Sequence, residues 1–130
     1  MNLKSSKQLV DEALKQIKTI YPKELNNIIN KNKKTLLIDI RDVRELKKTG
    51  KIKNAKHIPR GMLEFWLDPL SPYFKNEFTV DRFKILYCAS NWRSALATKT
   101  LQDMGFTNVC HVGGGFPAIV DEGFEVETVN

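Results

Sequence analysis

Two short apolar runs limit the folds open to this chain more than any other feature. Leu36-Leu37-Ile38 and Ile85-Leu86-Tyr87 are unbroken, and each is followed within a few residues by a polar segment. A strand with one wet face alternates apolar and polar residues, whereas a continuous apolar run marks a strand covered on both faces, as in a parallel sheet. Asn108-Val109-Cys110-His111-Val112 reads as another buried strand and Thr19-Ile20-Tyr21 as a short one. Helical patterns lie between and around them. Val10, Ala13, Leu14 and Ile17 recur at helical spacing behind Ser5 or Ser6, either of which can cap the helix. Pro22 opens a second helix with Leu25, Ile28 and Ile29 inward, and Asn30 with the lysines beyond ends it. A third, from Arg93 to Met104, repeats Ala97, Leu101 and Met104 with Leu96 and Thr100 beside them, and Gly105 supplies its C-cap. This alternation predicts an α/β domain of three layers, with a mostly parallel central sheet flanked by helices. The first helix precedes the alternation, so residues 1–18 are expected to form an accessory N-terminal helix and residues 19–130 the domain.

The 130 residues, 42% hydrophobic and 28% charged, suit one domain able to bury its own core. The two cysteines, Cys88 and Cys110, are too few for a disulfide framework, and the N-terminus lacks the apolar core of a signal peptide. A reducing, cytoplasmic setting is therefore expected. No apolar run approaches the ~20 residues that cross a bilayer, so a membrane partner is not expected. The net charge of +6 is uneven: residues 1–56 hold fifteen Lys or Arg against six Asp or Glu, and residues 57–130 hold six against nine. The lysines are scattered, without interleaved aromatics or a basic run longer than Lys33-Lys34, which argues against nucleic acid. A solvated lysine-rich surface explains them, and it would draw small anions or an acidic protein weakly.

Chemistry concentrates where the second apolar run ends. Lys84-Ile85-Leu86-Tyr87 delivers Cys88 into a polar loop closed by Arg93, and a helix follows at once. At such a junction the free N–H groups of loop and first helical turn converge, and the helix dipole favours an anion such as a thiolate. Arg93 adds a positive charge nearby. The alternative for Cys88 is an inert core cysteine, the reading expected for Cys110 in its apolar strand. Strand, loop, arginine and helix together favour an exposed reactive thiolate at Cys88. Gly113-Gly114-Gly115 lacks the Gly-Lys-Ser/Thr ending of a phosphate loop, so it is expected to let the backbone pass close to the Cys88 loop.

Cys88-Ala89-Ser90-Asn91-Trp92-Arg93-Ser94 resembles the active-site loop of rhodanese-like domains, C-x-x-G-x-R-S, with Asn91 where the family most often has glycine. Asparagine tolerates a left-handed backbone, so Asn91 is expected to keep the loop's shape that way. Leu37-Ile38-Asp39-Ile40-Arg41 with Glu45, then Gly50, Ile52, Ala55, Ile58 and Pro59, resembles the family pattern L-I-D-V-R-x-x-x-E-(x)n-G-x-I-x-x-A-x-x-I-P. Gly114-Gly115-Phe116 with Ala118, and Gly123-Phe124-Glu125-Val126, resemble the segments that end such domains. The resemblance covers roughly residues 19–127. It implies a sulfurtransferase with Cys88 as the catalytic nucleophile and Ala89, Ser90, Asn91, Trp92, Arg93 and Ser94 as the substrate-binding loop. It implies a small sulfur-containing anion such as thiosulfate as donor, a thiol, a protein or cyanide as acceptor, and neither metal nor organic cofactor. Asp39, Arg41 and Glu45 are expected to form an ion-pair scaffold, and His57 to be structural. A sulfur carrier with little turnover of its own and a cysteine phosphatase-like anion enzyme are the alternatives. Arg60–Leu67 is expected to form a short helix, and the aromatic-rich insertion it opens, with Phe65, Trp66, Tyr73, Phe74 and Phe78, reads as core or as a lid packing on the sheet, placed to form a pocket wall.

Overall fold

The apolar runs become the inner strands of a five-stranded sheet. The structure, a computed structural model, describes residues 2–130. In chain order the elements are α1 (Ser6–Gln16), β1 (Thr19–Ile20), α2 (Pro22–Lys31), β2 (Leu36–Asp39), α3 (Val43–Thr49), β3 (Lys51–Ile52) and β4 (Lys56–His57). They continue with α4 (Leu63–Leu67), β5 (Lys84–Tyr87), α5 (Trp92–Asp103), β6 (Val109–Val112), α6 (Gly115–Asp121) and β7 (Val126–Glu127). The main sheet has the order β1-β6-β5-β2-β4 and every pairing in it is parallel. A separate antiparallel pair joins β3 to β7. Among the described residues no helix is long and apolar enough to cross a membrane.

Side chains alternate across a strand, and that alternation sorts the core into two faces. Leu36, Ile38, Leu86, Cys88 and Val109 join Leu63, Leu67, Ala97 and Leu101, which forms the layer of α4 and α5. Leu37, Ile85, Tyr87, Cys110 and Val112 join Leu25 and Ile119, which forms the layer of α2 and α6. Because Val109 faces α5, the same alternation turns His111 toward α5 as well.

Helix α1 lies outside the three layers. Its Ser5 cap accepts a hydrogen bond from the Gln8 N–H at 3.0 Å, and Val10 and Ala13 bury against Ala95 of α5. Leu14 is 37% exposed, because α1 packs against α5 through a narrow apolar stripe. Met104, expected inward, is 42% exposed. The helix stops before it: Gly105 takes φ 107°, and the N–H groups of Gly105 and Phe106 return to the Gln102 and Leu101 carbonyls.

The end of β2 is fixed by charge. Asp39 and Arg41 are both buried, and the Arg41 guanidinium meets the Asp39 carboxylate at 2.9–3.1 Å. The Arg41 N–H also donates to Asp39 at 2.9 Å, and the guanidinium reaches the Gly50 carbonyl at 2.8 Å and Thr49 Oγ1 at 3.0 Å. The ring of Phe116 lies 4.1 Å below it. One buried pair thus joins β2, the end of α3 and the start of α6. Removing one partner leaves the other charge without compensation, so Asp39→Asn is expected to lower unfolding free energy in urea by about 3–5 kcal/mol. A loss below ~1 kcal/mol would show that the pair does not hold this junction.

Candidate active site

Cys88 follows the last residue of β5, at the carboxyl end of the sheet where ligand sites of parallel sheets lie. The residue is 1% exposed, which corrects the expectation of an exposed thiolate. The pleat turns its side chain into the apolar layer under α5, among Ile40, Ile58 and Ala97. The loop then climbs out: Ala89 is half-buried, Ser90 exposed and Asn91 half-buried. Trp92 starts α5 with 66% exposure, so its ring stands in solvent at the loop's mouth. Ser94 is buried, and its N–H donates to Cys88 Sγ at 3.3 Å. Among the described residues it is the one N–H that reaches the sulfur, where the sequence suggested a converging set.

The glycine-rich turn before α6 clamps this loop from outside. The Phe116 N–H donates to the Cys88 carbonyl at 2.8 Å. Gly115 crosses with φ 64°, and a Cβ there would lie 2.5 Å from the Cys88 carbonyl oxygen and 2.7 Å from Ser90 N. Glycine is required both by the dihedral and by the space. Asn91 does not take the left-handed backbone its position suggested; its φ is −130°. Its contribution is through the side chain, whose Oδ1 accepts the Gly114 N–H at 2.9 Å, while its carbonyl receives the Ala95 N–H at 3.0 Å and opens α5.

The expected scaffold of Asp39, Arg41 and Glu45 is divided in the structure. Asp39 and Arg41 pair with each other, whereas Glu45 turns to the loop and takes Arg93 in a two-pronged bond of 2.8 and 3.0 Å. The reason is local. Asp42 and Glu45 form a capping box at the start of α3, which fixes Glu45 on the side facing Arg93. The bond from Arg93 holds the Glu45 carboxyl below the usual carboxylate range and raises Arg93 in turn. His57 Nε2 donates to the Arg41 carbonyl oxygen at 2.7 Å, which fixes the proton on that ring nitrogen and gives the ring a structural contact. Phe78 belongs to the core, Trp66 is half-buried with the Lys75 ammonium 4.4 Å from its ring, and Phe65 and Tyr73 are exposed.

The family model for the rhodanese-like domain matches residues 21–122. The chain belongs to this family. It is 31% identical over 112 residues to the probable adenylyltransferase/sulfurtransferase MoeZ of Mycobacterium tuberculosis, which covers 85% of this chain and 27% of that protein. The chain thus spans about a quarter of that relative's length. Among solved structures, RPA3614 of Rhodopseudomonas palustris, described as a protein of unknown function and possible tyrosine phosphatase, superposes with TM-score 0.89 at 41% identity over 98% of this chain and 97% of that one. The polysulfide-sulfur transferase homodimer of Wolinella succinogenes superposes with TM-score 0.71 at 32% identity over 95% and 88% of the two chains.

This rhodanese-like domain also carries a polar group that the motif did not reveal. His111 of β6 is fully buried, with Nδ1 2.7 Å from Ser94 Oγ and Nε2 2.8 Å from Thr19 Oγ1. A histidine inside the run Val109-Cys110-His111-Val112 was the available signal, because a buried polar side chain needs partners. Burial depresses its pKa to about 4, so the ring is neutral near pH 7. Burial pushes the Cys110 thiol up to about 12, which keeps it protonated and inert. An unfolded chain binds a proton at His111 near pH 6.5 and the folded chain only near 4, so acid favours unfolding. Stability should therefore fall between pH 6.5 and 4, by on the order of 2–3 kcal/mol from this group. Urea titrations should show that slope reduced in His111→Asn; an unchanged slope would contradict a neutral buried ring.

Proposed function

We propose that this chain is a sulfurtransferase in which Cys88 carries sulfane sulfur as a persulfide. The observation that supports it most is the Cys88 sulfur at the carboxyl end of β5, met by the Ser94 N–H at 3.3 Å inside a loop clamped by Gly114, Gly115 and Phe116. Names of similar proteins, MoeZ and the Wolinella enzyme, point to the same chemistry.

In the first half-reaction the Cys88 thiolate attacks the outer sulfur of a donor such as thiosulfate. A sulfur–sulfur bond forms to Cys88, the donor's own sulfur–sulfur bond breaks, and sulfite leaves with the electron pair. In the second, a thiolate or cyanide attacks the outer sulfur and Cys88 leaves as thiolate. The persulfide lengthens the side chain by about 2 Å, which carries the reacting sulfur outward from a thiol that is itself covered. Ala89, Ser90, Asn91, Trp92 and Arg93 form the rim the donor must cross, and Ser94 lies buried beneath it. Arg93 is already paired with Glu45, so it orients an incoming anion as part of a near-neutral pair rather than as a free cation. A carrier that receives sulfur from a partner protein is the same chemistry with slow release. Residues 1–18 are assigned an accessory role, and the free cysteines suit a reducing cytoplasm.

The description of RPA3614 as a possible tyrosine phosphatase makes phosphate-ester chemistry the competing reading. Four residues separate Cys88 from Arg93, and one amide reaches the sulfur. A phosphate ester brings three non-bridging oxygens, each of which needs donors that a persulfide sulfur does not. Thiosulfate:cyanide turnover should follow ping-pong kinetics, vanish in Cys88→Ser and survive in Cys110→Ser, while p-nitrophenyl phosphate hydrolysis stays at the Cys88→Ser background. Cys88-dependent phosphatase turnover without thiosulfate turnover would reverse the assignment.

A further inference from the structure

We infer that His111 is a positioning residue for the chemistry of Cys88, acting through Ser94: the ring holds the Ser94 side chain so that the Ser94 N–H stays aimed at the sulfur. The inference rests on Cys88 being the nucleophile and goes beyond the loop that the family motif marks. His111 touches neither the sulfur nor the rim of the site.

The geometry is a chain of contacts that crosses three elements. Thr19 of β1 is the parallel neighbour of His111 on β6, and its Oγ1 lies 2.8 Å from Nε2. On the other side of the ring, Nδ1 lies 2.7 Å from Ser94 Oγ in the first turn of α5, and Ser94 Oγ lies 3.3 Å from the Asn91 carbonyl. A neutral imidazole has one donor and one acceptor nitrogen. With the proton on Nδ1, the Thr19 hydroxyl donates to Nε2, Nδ1 donates to Ser94 Oγ, and the Ser94 hydroxyl donates to the Asn91 carbonyl, which uses all three contacts. With the proton on Nε2, the Ser94 hydroxyl donates to Nδ1 and Nε2 donates to Thr19. Ser94 is tied to His111 in both.

The position of Ser94 matters because its N–H is the donor to Cys88 Sγ, at 3.3 Å, in a site where the thiol is otherwise covered by apolar neighbours. A single amide aimed at a developing thiolate or persulfide anion has no replacement among the described residues if the first turn of α5 shifts. Hydrogen bonds to charged groups are roughly twice as strong as neutral ones, so a misaimed amide should slow the reaction on the order of 10–100-fold.

Asparagine and glutamine separate this role from filling space. The Asn amide reaches about as far as the imidazole Nδ1 and can hold Ser94, whereas the Gln amide reaches about as far as Nε2 and holds Thr19. In a Cys110→Ser background, we would measure the second-order rate of Cys88 alkylation by iodoacetamide at pH 7.5, thiosulfate kcat and KM, and Tm for His111→Asn, His111→Gln, Ser94→Ala and Thr19→Val. Expected are alkylation and kcat within about 3-fold of the parent for His111→Asn and Thr19→Val, and a loss of about 10-fold or more for His111→Gln and Ser94→Ala with KM little changed. Equal rates for Asn and Gln, rates that follow Tm alone, or faster alkylation in the Gln variant would overturn the inference. If His111→Gln does not fold, Ser94→Ala decides: a slow variant supports the role and a parent-like one overturns it. Alkylation needs no sulfur donor, so it tests His111 even if thiosulfate turnover is absent in the parent.

Discussion

The contact between the Phe116 N–H and the Cys88 carbonyl, at 2.8 Å, is the constraint from which the site takes its form. It requires two chain segments to cross within van der Waals distance. A parallel sheet brings the carboxyl ends of β5 and β6 side by side, so the loop after one and the turn after the other must share the same small space. Gly115 makes the crossing sterically open, and Asn91 and Gly114 add a second bond across it. The loop is therefore shaped by a neighbour as well as by its own residues. That is why a chain with asparagine at the usual glycine position still closes the loop: the side chain replaces dihedral freedom with an external tether.

Charge is distributed to match this geometry. The buried Asp39–Arg41 pair braces the end of β2 and stacks on Phe116, so it supports α6 and, through α6, the crossing. Glu45 and Arg93 form a more exposed pair that joins α3 to the start of α5. An anion approaching Cys88 thus meets a guanidinium whose charge is partly answered, and the remaining attraction comes from the amide of Ser94 and the start of α5. On the proposed reading, such a site is suited to the single outer sulfur of a persulfide rather than to the three non-bridging oxygens of a phosphate ester. The scattered lysines of the first half contribute no group to these contacts.

The inner strands β2, β5 and β6 were legible because both-face burial writes continuous apolar runs, α5 because its apolar positions repeat at helical spacing, and the loop because its residues adjoin in sequence. Three features were not. Cys88 is covered because the pleat carries past the end of β5 and turns it into the α5 layer, and the first residue of a loop does not announce whether it keeps the strand's alternation. Glu45 stands three residues after Asp42 and 48 before Arg93, so its capping-box role was readable and its longer-range partner was not. His111 is 17 residues from Ser94 and 92 from Thr19, and those contacts exist only after β1, β6 and α5 have packed. The alternation that puts Val109 on the α5 face carried the hint, since His111 shares it.

Whether the sulfur of Cys88 accepts another sulfur atom is the direct test. Intact mass of the reduced protein after incubation with thiosulfate, followed by peptide mapping under non-reducing conditions, should show one added sulfur, located on the peptide that contains Cys88 and removed by cyanide. No added sulfur on a protein whose Cys88 still alkylates, or an added sulfur on Cys110, would contradict the assignment of Cys88 as the sulfur-carrying residue.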